Sequence, residues 1–215
     1  MAARHLPHVP EGAVALTIAI DGTNTAHPQA VRIAGGPNQQ ITFTNNSGGT
    51  ISIQFEPNPP GPTMFSNIIG LANGATDTQT ANVDLNGNGA VNYYVYDANN
   101  NPYGPFGIEI GNGPLYVSVT YNAAKVAGQC TPDPIALPSS AHLVMYSTDY
   151  NYTVKWPTSF GDPFSPLLTS VVPGAPNNSP VQEVANLQSY SYTVKSTNPV
   201  LGTGNGGGRV IVKGS

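Results

Sequence analysis

The chain has 215 residues with a net charge of −4, and only 8% of its residues are charged, against roughly 25% in an average globular protein. Its solubility therefore depends on neutral polar side chains. The seven Lys and Arg residues are scattered, which excludes the basic patch that nucleic-acid binding requires. No apolar run approaches the roughly 20 residues of a membrane helix, so no membrane insertion is expected.

The N-terminal twelve residues are polar, rich in proline and without periodicity, which predicts a flexible arm over residues 1–12. An apolar stretch follows at Ala13–Ile20, but Glu11 and Gly12 precede it and no cleavage site comes after it. We therefore expect no signal peptide in this chain. The composition resembles that of extracellular or surface proteins, although the compartment itself is not predicted.

Short segments with a period of two follow one another along the chain. The clearest are Leu16–Ile20, Ile41–Thr44, Ile51–Phe55 and Ile108–Ile110, separated by turns rich in Gly, Asn and Pro. No segment repeats apolar residues at helical spacing over ten or more positions. The sequence therefore predicts an all-β protein.

The same order of strand segments and turns occurs twice along the chain. Leu16–Ile20 corresponds to Leu115–Val119, Ile51–Phe55 to Tyr152–Trp156, Tyr94 to Tyr192, and Ile108–Ile110 to Val210–Val212. Each landmark recurs roughly 100 residues later, which is the sign of a duplicated domain. We expect a boundary near Gly113-Pro114, with one β-sandwich over residues 13–113 and a second over 114–215.

Each copy, with about seven short strands, a Phe-Ser segment before a Gly, an aromatic strand and a closing strand after a Pro/Gly loop, resembles the cupredoxin-like sandwich. The resemblance implies two tandem Greek-key β-sandwiches. An immunoglobulin-like sandwich is the alternative, although neither copy has the Cys…Trp…Cys pattern of that fold.

The resemblance implies where a copper site would be. Cupredoxins use a His ahead of a middle strand and Cys, His and Met in the loop between the last two strands. The first position falls near Thr50 or Asn151, and the closing loops, Asp97–Gly107 and Lys195–Gly208, contain none of the three residue types. We therefore expect no copper and no other cofactor, and we interpret Cys130 as an inert thiol.

A weak calcium pattern occurs before the aromatic strand. Asp84, Asn86 and Asn88 followed by Gly89 match the start of a calcium loop, but Val95 stands where the bidentate Glu is required. The alternative is an Asx turn, in which the side chains bond to their own backbone.

Aromatic residues are the remaining candidates for binding. The interface or ligand candidates are Tyr93, Tyr94, Tyr96, Tyr103, Trp156, Tyr190 and Tyr192. Alternate residues of a strand face opposite sides, so some of these rings are expected to point outward. Tyrosine provides apolar area with one hydroxyl, which suits a subunit interface or the stacking of a sugar ring.

The sequence contains no nucleophile elbow, and its eleven acidic residues are widely spaced. The resulting hypothesis is a protein that is not an enzyme and has a structural or interaction role. It would assemble with copies of itself or pack on a surface through an edge strand or an aromatic face. The alternatives are a carbohydrate-binding module that uses exposed Tyr and Trp, and an enzyme with a site between the two domains.

Overall fold

The computed structural model describes residues 15–59, 61–124, 127–138, 141–156, 168–174, 177–180, 188–198, 201 and 206–213. The chain divides into two compact units, with the division between Gly113 and Pro114. The predicted arm at residues 1–12 lies outside the described residues. Strand is the dominant structure in both units, which confirms the prediction of an all-β protein.

The first unit contains nine strands. They are β1 (Ala15–Ile20), β2 (Ala26–His27), β3 (Ala30–Ile33), β4 (Gln40–Asn45), β5 (Ile51–Phe55), β6 (Ile68–Leu71), β7 (Thr76–Thr80), β8 (Gly89–Tyr96) and β9 (Pro102–Ile110). They form a four-stranded sheet in the order β2-β1-β4-β7 and a five-stranded sheet in the order β3-β9-β8-β5-β6.

The second unit also contains nine described strands. They are β10 (Leu115–Asn122), β11 (Ala127–Thr131), β12 (Ile135–Pro138), β13 (His142–Tyr146), β14 (Tyr152–Lys155), β15 (Ser170–Val171), β16 (Asn177–Pro180), β17 (Gln188–Ser196) and β18 (Gly206–Lys213). Their sheets have the orders β11-β10-β13-β16 and β12-β18-β17-β14-β15. Each strand of the second unit thus takes the place of the strand nine earlier. Both units are cupredoxin-like sandwiches, as the sequence predicted.

Alternation along the strands places the core of the first unit between its two sheets. In β1, Ile18 and Ile20 are buried while Thr17 is exposed, and β4 repeats this pattern with Ile41 and Phe43. At roughly 1.5–3 kcal/mol for each large apolar side chain, this burial is the main stabilising contribution.

Tyr93 lies at the centre of the first core and is fully buried. Its ring centroid is 5.6 Å from that of Phe43, 5.6 Å from that of Phe55 and 5.4 Å from that of Phe106. The second unit has a corresponding aromatic pair, since the Trp156 and Tyr192 centroids are 4.7 Å apart.

Strand register corrects one detail of the predicted repeat. The buried pair Ile53 and Val95 of the first unit corresponds to the buried pair Val154 and Val194 of the second. Two residues before Val95 is Tyr93 and two before Val194 is Tyr192, so Tyr192 corresponds to Tyr93 and not to Tyr94. A shift of one residue moves a side chain to the other face of a sheet. Tyr192 is therefore a core residue, as Tyr93 is, whereas Tyr94 is on the outer face.

The register makes a prediction about stability. Tyr93→Ala should lower the free energy of unfolding by about 3–5 kcal/mol, because it leaves a cavity among three aromatic rings. Tyr94→Ala, one residue away on the outer face, should cost about 1 kcal/mol. Urea unfolding of both variants measures the difference, and equal losses would contradict this register.

The division at Gly113 makes a second prediction. Because each unit has its own sheets and apolar interior, residues 13–113 and 114–215 should each give strand-type circular dichroism and a cooperative thermal transition when expressed alone. If neither fragment folds while the whole chain does, the two units depend on a shared core and the duplication does not represent independent domains.

Candidate functional site

The predicted copper positions of the first unit are occupied by turn-forming polar groups. The buried Asn45 is the last residue of β4 and fixes the turn to β5. Its amide donates to the carbonyls of Gly49 and Leu71, both at 2.8 Å, and its oxygen accepts from the Ser47 N–H at 2.9 Å. Thr50 is exposed in this turn. The polar groups of Asn45 bind backbone and are not directed at a ligand.

The closing loop of the first unit is organised by Asp97. Its Oδ1 accepts from the Asn99 and Asn101 N–H groups, each at 2.9 Å. Its Oδ2 accepts from the Asn101 amide at 2.8 Å and from the Tyr103 hydroxyl at 3.3 Å. The Asn101 amide, followed by these other donors, holds the pKa of Asp97 below its usual value. The carboxylate therefore stabilises the β8–β9 turn.

Asp149 organises the turn between β13 and β14, which corresponds to the β4–β5 turn of the first unit. Its carboxylate accepts from the Tyr121 N–H at 2.7 Å, the Ser147 hydroxyl at 2.7 Å and the Tyr152 hydroxyl at 2.9 Å. Burial opposes ionisation of Asp149, but these donors outweigh it and lower its pKa. Asn151, the other predicted copper position, is exposed beside this cluster. Asp149 thus ties β10 to the turn between β13 and β14.

The calcium candidate is an Asx turn. Asp84 Oδ1 accepts from the backbone N–H groups of Asn86 at 2.8 Å and Asn88 at 2.9 Å, and Asn88 Oδ1 accepts from the Asn112 N–H at 3.0 Å. The Asp84 and Asn88 oxygens therefore accept from backbone N–H groups of different segments. Across the described ranges, no group of three or more His, Cys, Asp or Glu residues is placed to hold a metal ion.

The structure separates the aromatic candidates into two groups. Tyr93, Trp156, Tyr190 and Tyr192 are buried in the cores, so they cannot form a stacking surface. Tyr190 and Tyr192 are two residues apart and share the inner face of β17, contrary to the expectation that one of them points outward. Tyr94, Tyr96 and Tyr103 are half-buried in the first unit.

Lys, Arg, Asp and Glu are absent from the described outward positions of β1, β4 and β7 in the first unit and of β10 and β13 in the second. In the first unit the outward polar side chains of β1, β4 and β7, named here the hydroxyl face, are Thr17, Gln40, Thr42, Thr44, Thr76, Thr78 and Thr80. At the edge of this sheet His27 of β2 pairs with Ala19, and its Nε2 is 2.8 Å from Oδ2 of Asp21. In the second unit the outward side chains of β10 and β13, named here the tyrosine face, are Tyr116, Ser118, Thr120, His142, Val144 and Tyr146. Among these described positions none is Lys, Arg, Asp or Glu.

These faces could not be seen in the sequence alone, because their residues come from separate strands. On the hydroxyl face Thr17, Thr42 and Thr78 form one row across three strands, with the Thr42 and Thr78 hydroxyls 2.7 Å apart. On the tyrosine face the ring centroids of Tyr116 and Tyr146 are 6.3 Å apart in an edge-to-face arrangement.

A shallow groove of about 450 Å³ lies between residues 63–66 and the end of β7. Gln79 crosses it, accepting from the Ser66 N–H at 3.0 Å and donating to the Ser66 carbonyl at 2.9 Å. The Asn82 amide donates to the Thr63 carbonyl at 3.2 Å. These contacts fasten the segment to β7.

Comparison with known proteins finds structural similarity only. No protein-family model matches the chain, and no curated protein matches it. The multicopper oxidase mgLAC has 11% identity and a TM-score of 0.36, over 94% of this chain and 86% of that chain. A copper-containing nitrite reductase from Thermus scotoductus SA-01 has 9% identity and a TM-score of 0.35, over 94% of this chain and 61% of that chain.

Another multicopper oxidase has 11% identity and a TM-score of 0.33, over 94% of this chain and 91% of that chain. The prediction that the chain is not an enzyme is corrected by these comparisons, because the similar structures are named as oxidases and a reductase. At this identity the similarity concerns the fold, and no reaction is carried over to this chain.

No helix in the part of the chain described is long and apolar enough to span a membrane.

The burial of Cys130 can be tested by its reactivity. Burial in β11 raises the pKa of its thiol to about 11, so little thiolate is present at neutral pH. In the folded chain Cys130 should not react with a disulfide reagent at pH 8, and it should react fully in guanidinium chloride. Thr148→Cys, on an exposed turn, is the control and should react in the folded state. Rapid reaction of Cys130 without denaturant would contradict its burial.

Proposed function

We propose that this chain is an interaction module that associates with copies of itself through the outer faces of its four-stranded sheets. The observation that supports this most directly is the absence of charged residues from the hydroxyl face and the tyrosine face. Charged side chains are depleted at the centres of protein interfaces, and tyrosine is enriched there. A net charge of −4 adds little repulsion between copies.

Edge strands are the less favourable route to association. β7 is an edge strand, and its half-buried Asp77 is in register with the core residue Phe43. A strand added beside β7 would bury this carboxylate, and an inward-pointing charge of this kind protects an edge. β2 is an edge of only two residues, Ala26–His27. These features favour the sheet faces over the edges.

The size of a face limits the strength of the association. Four strands spaced about 4.8 Å apart and about 17–20 Å long present roughly 350 Å² in projection. A stable interface buries about 800 Å² on each partner. One face alone therefore supports weak association, and stable assembly requires both faces to be used.

Of the two faces, the tyrosine face is the better anchor, because Thr and Ser rarely supply much of the binding energy of an interface while Tyr often does. Tyr116 and Tyr146 are half-buried and contact each other edge to face, whereas Val144, two residues before Tyr146 in β13, is already covered. The hydroxyl face offers hydroxyls and methyl groups but no large side chain.

The proposal is tested by placing a charge on each face. Tyr146→Lys and Thr42→Lys should each shift self-association to concentrations at least roughly tenfold higher, since one buried unpaired charge costs more than about 1.4 kcal/mol. Light scattering and sedimentation over a range of concentrations measure the shift.

The matched control is Ser52→Lys, on the outer face of the five-stranded sheet. It adds the same charge and should leave association unchanged. A monomer at all concentrations, or an equal effect of the three substitutions, would reject the proposal.

A further inference from the structure

The outer face of the five-stranded sheet in the first unit carries two tyrosines side by side. Tyr94 and Tyr96 are two residues apart on β8, so their rings are on the same face and about 6.6–6.8 Å apart along the strand. Both are half-buried, while Val95 between them is fully buried on the other face.

Polar residues of the neighbouring strand stand directly opposite these rings. Gln54 pairs with Tyr94, and Ser52 pairs with Tyr96. The Ser52 hydroxyl accepts from the Gly70 N–H at 3.2 Å, whereas within the described residues the Gln54 amide makes no side-chain hydrogen bond. An amide that can both donate and accept is thus placed beside an aromatic ring.

An apolar side chain extends the same face at the sheet edge. Ile69 on β6 is 73% exposed, while its neighbour Ile68 is buried. Because alternate residues of a strand face opposite sides, Ile69 is on the outer face with Ser52 and Gln54. None of the five side chains is charged.

The position of the Tyr94 ring is fixed by a β-bulge. The register of β8 with β9 shifts between Tyr93 and Val95, and Gly104 lies in the shifted segment with a φ of 132°. A Cβ at Gly104 would be 3.2 Å from Cδ1 of Tyr94. The ring thus packs close to the glycine backbone, where a larger residue would crowd it.

We propose that Tyr94, Tyr96, Gln54, Ser52 and Ile69 form a binding site for a neutral sugar chain. The C–H face of a sugar ring packs on an aromatic ring, and its hydroxyl groups exchange hydrogen bonds with an amide. The five side chains carry no charge, which matches an uncharged ligand, and burial raises the pKa of nearby Glu56 to about 7. Proline-rich peptides also bind aromatic residues, but they dock in grooves, and these rings lie on a sheet face.

This site does not depend on self-association, since it is on the opposite side of the sandwich from the hydroxyl face. The two proposals can therefore fail separately. Binding is measured by depletion of the full chain from solution onto insoluble cellulose, chitin and starch. At least one of these polymers should retain the protein, and soluble oligosaccharides of that polymer should release it.

Substitutions locate the site. Tyr96→Ala and Gln54→Ala should each weaken binding by roughly three- to tenfold, which corresponds to the loss of one ring contact or one hydrogen bond. The control Thr78→Ala, on the hydroxyl face, should bind as the unchanged chain does. Circular dichroism establishes that each variant is folded. Each of the two site variants tests the site on its own.

Three outcomes would overturn the proposal. One is retention by none of the polymers, and another is unchanged binding by the folded Tyr96→Ala and Gln54→Ala chains. The third is release by poly-L-proline but not by oligosaccharide, which would identify a peptide surface in place of a sugar site.

Discussion

Parallel pairing between distant strands is the constraint on which each sandwich depends. β1 pairs with β4 and β3 with β9, so the beginning of the first unit is bonded to its middle and to its end. β10 with β13 and β12 with β18 repeat this in the second unit. These pairs fix which side chains face inward, because a slip of one residue would move every apolar side chain of a strand to solvent.

The strand pattern was largely predictable, because Ile18, Ile41 and Ile53 alternate with polar residues and the period of two is local. The pairing between strands was not. A β-bulge between Tyr93 and Val95 changes the register, and no local pattern revealed that Tyr192 matches Tyr93. Glu109 is another example: the period-two segment Ile108–Ile110 turns it away from the core, yet it is 1% exposed, with Oε1 3.5 Å from Nε of Arg32.

The candidate sites, like the fold, could be predicted only in part from the sequence. Asp84 was a candidate oxygen ligand in the sequence, yet its carboxylate accepts from the backbone of its own turn, as the carboxylate of Asp97 also does. A short Asp side chain meets its own backbone before it meets a distant group, so Asx turns compete with metal binding. The Thr17, Thr42 and Thr78 row could not be predicted, because three distant segments contribute one residue each.

This structure therefore relates the scarcity of charge to two kinds of surface. Turns hold Asp84, Asp97 and Asp149, and the described outward positions of β1, β4, β7, β10 and β13 carry no Lys, Arg, Asp or Glu, whereas Lys155, Lys195 and Arg209 are exposed on the five-stranded sheet of the second unit. A face without charge loses little by desolvation when it meets a partner, and a sheet holds its side chains in fixed rows. The fold thus presents rigid neutral surfaces, which differ between the two units although their strand orders are the same.

Hydroxyl-radical footprinting at increasing protein concentration tests most directly whether copies of the chain associate through the outer faces of the four-stranded sheets. The account predicts that oxidation of Tyr116 and Tyr146 falls as copies associate, while oxidation of Tyr94 and Tyr96 on the other type of sheet stays constant. Constant oxidation of Tyr116 and Tyr146 in a preparation that does associate would contradict it, and would place the contact elsewhere on the molecule.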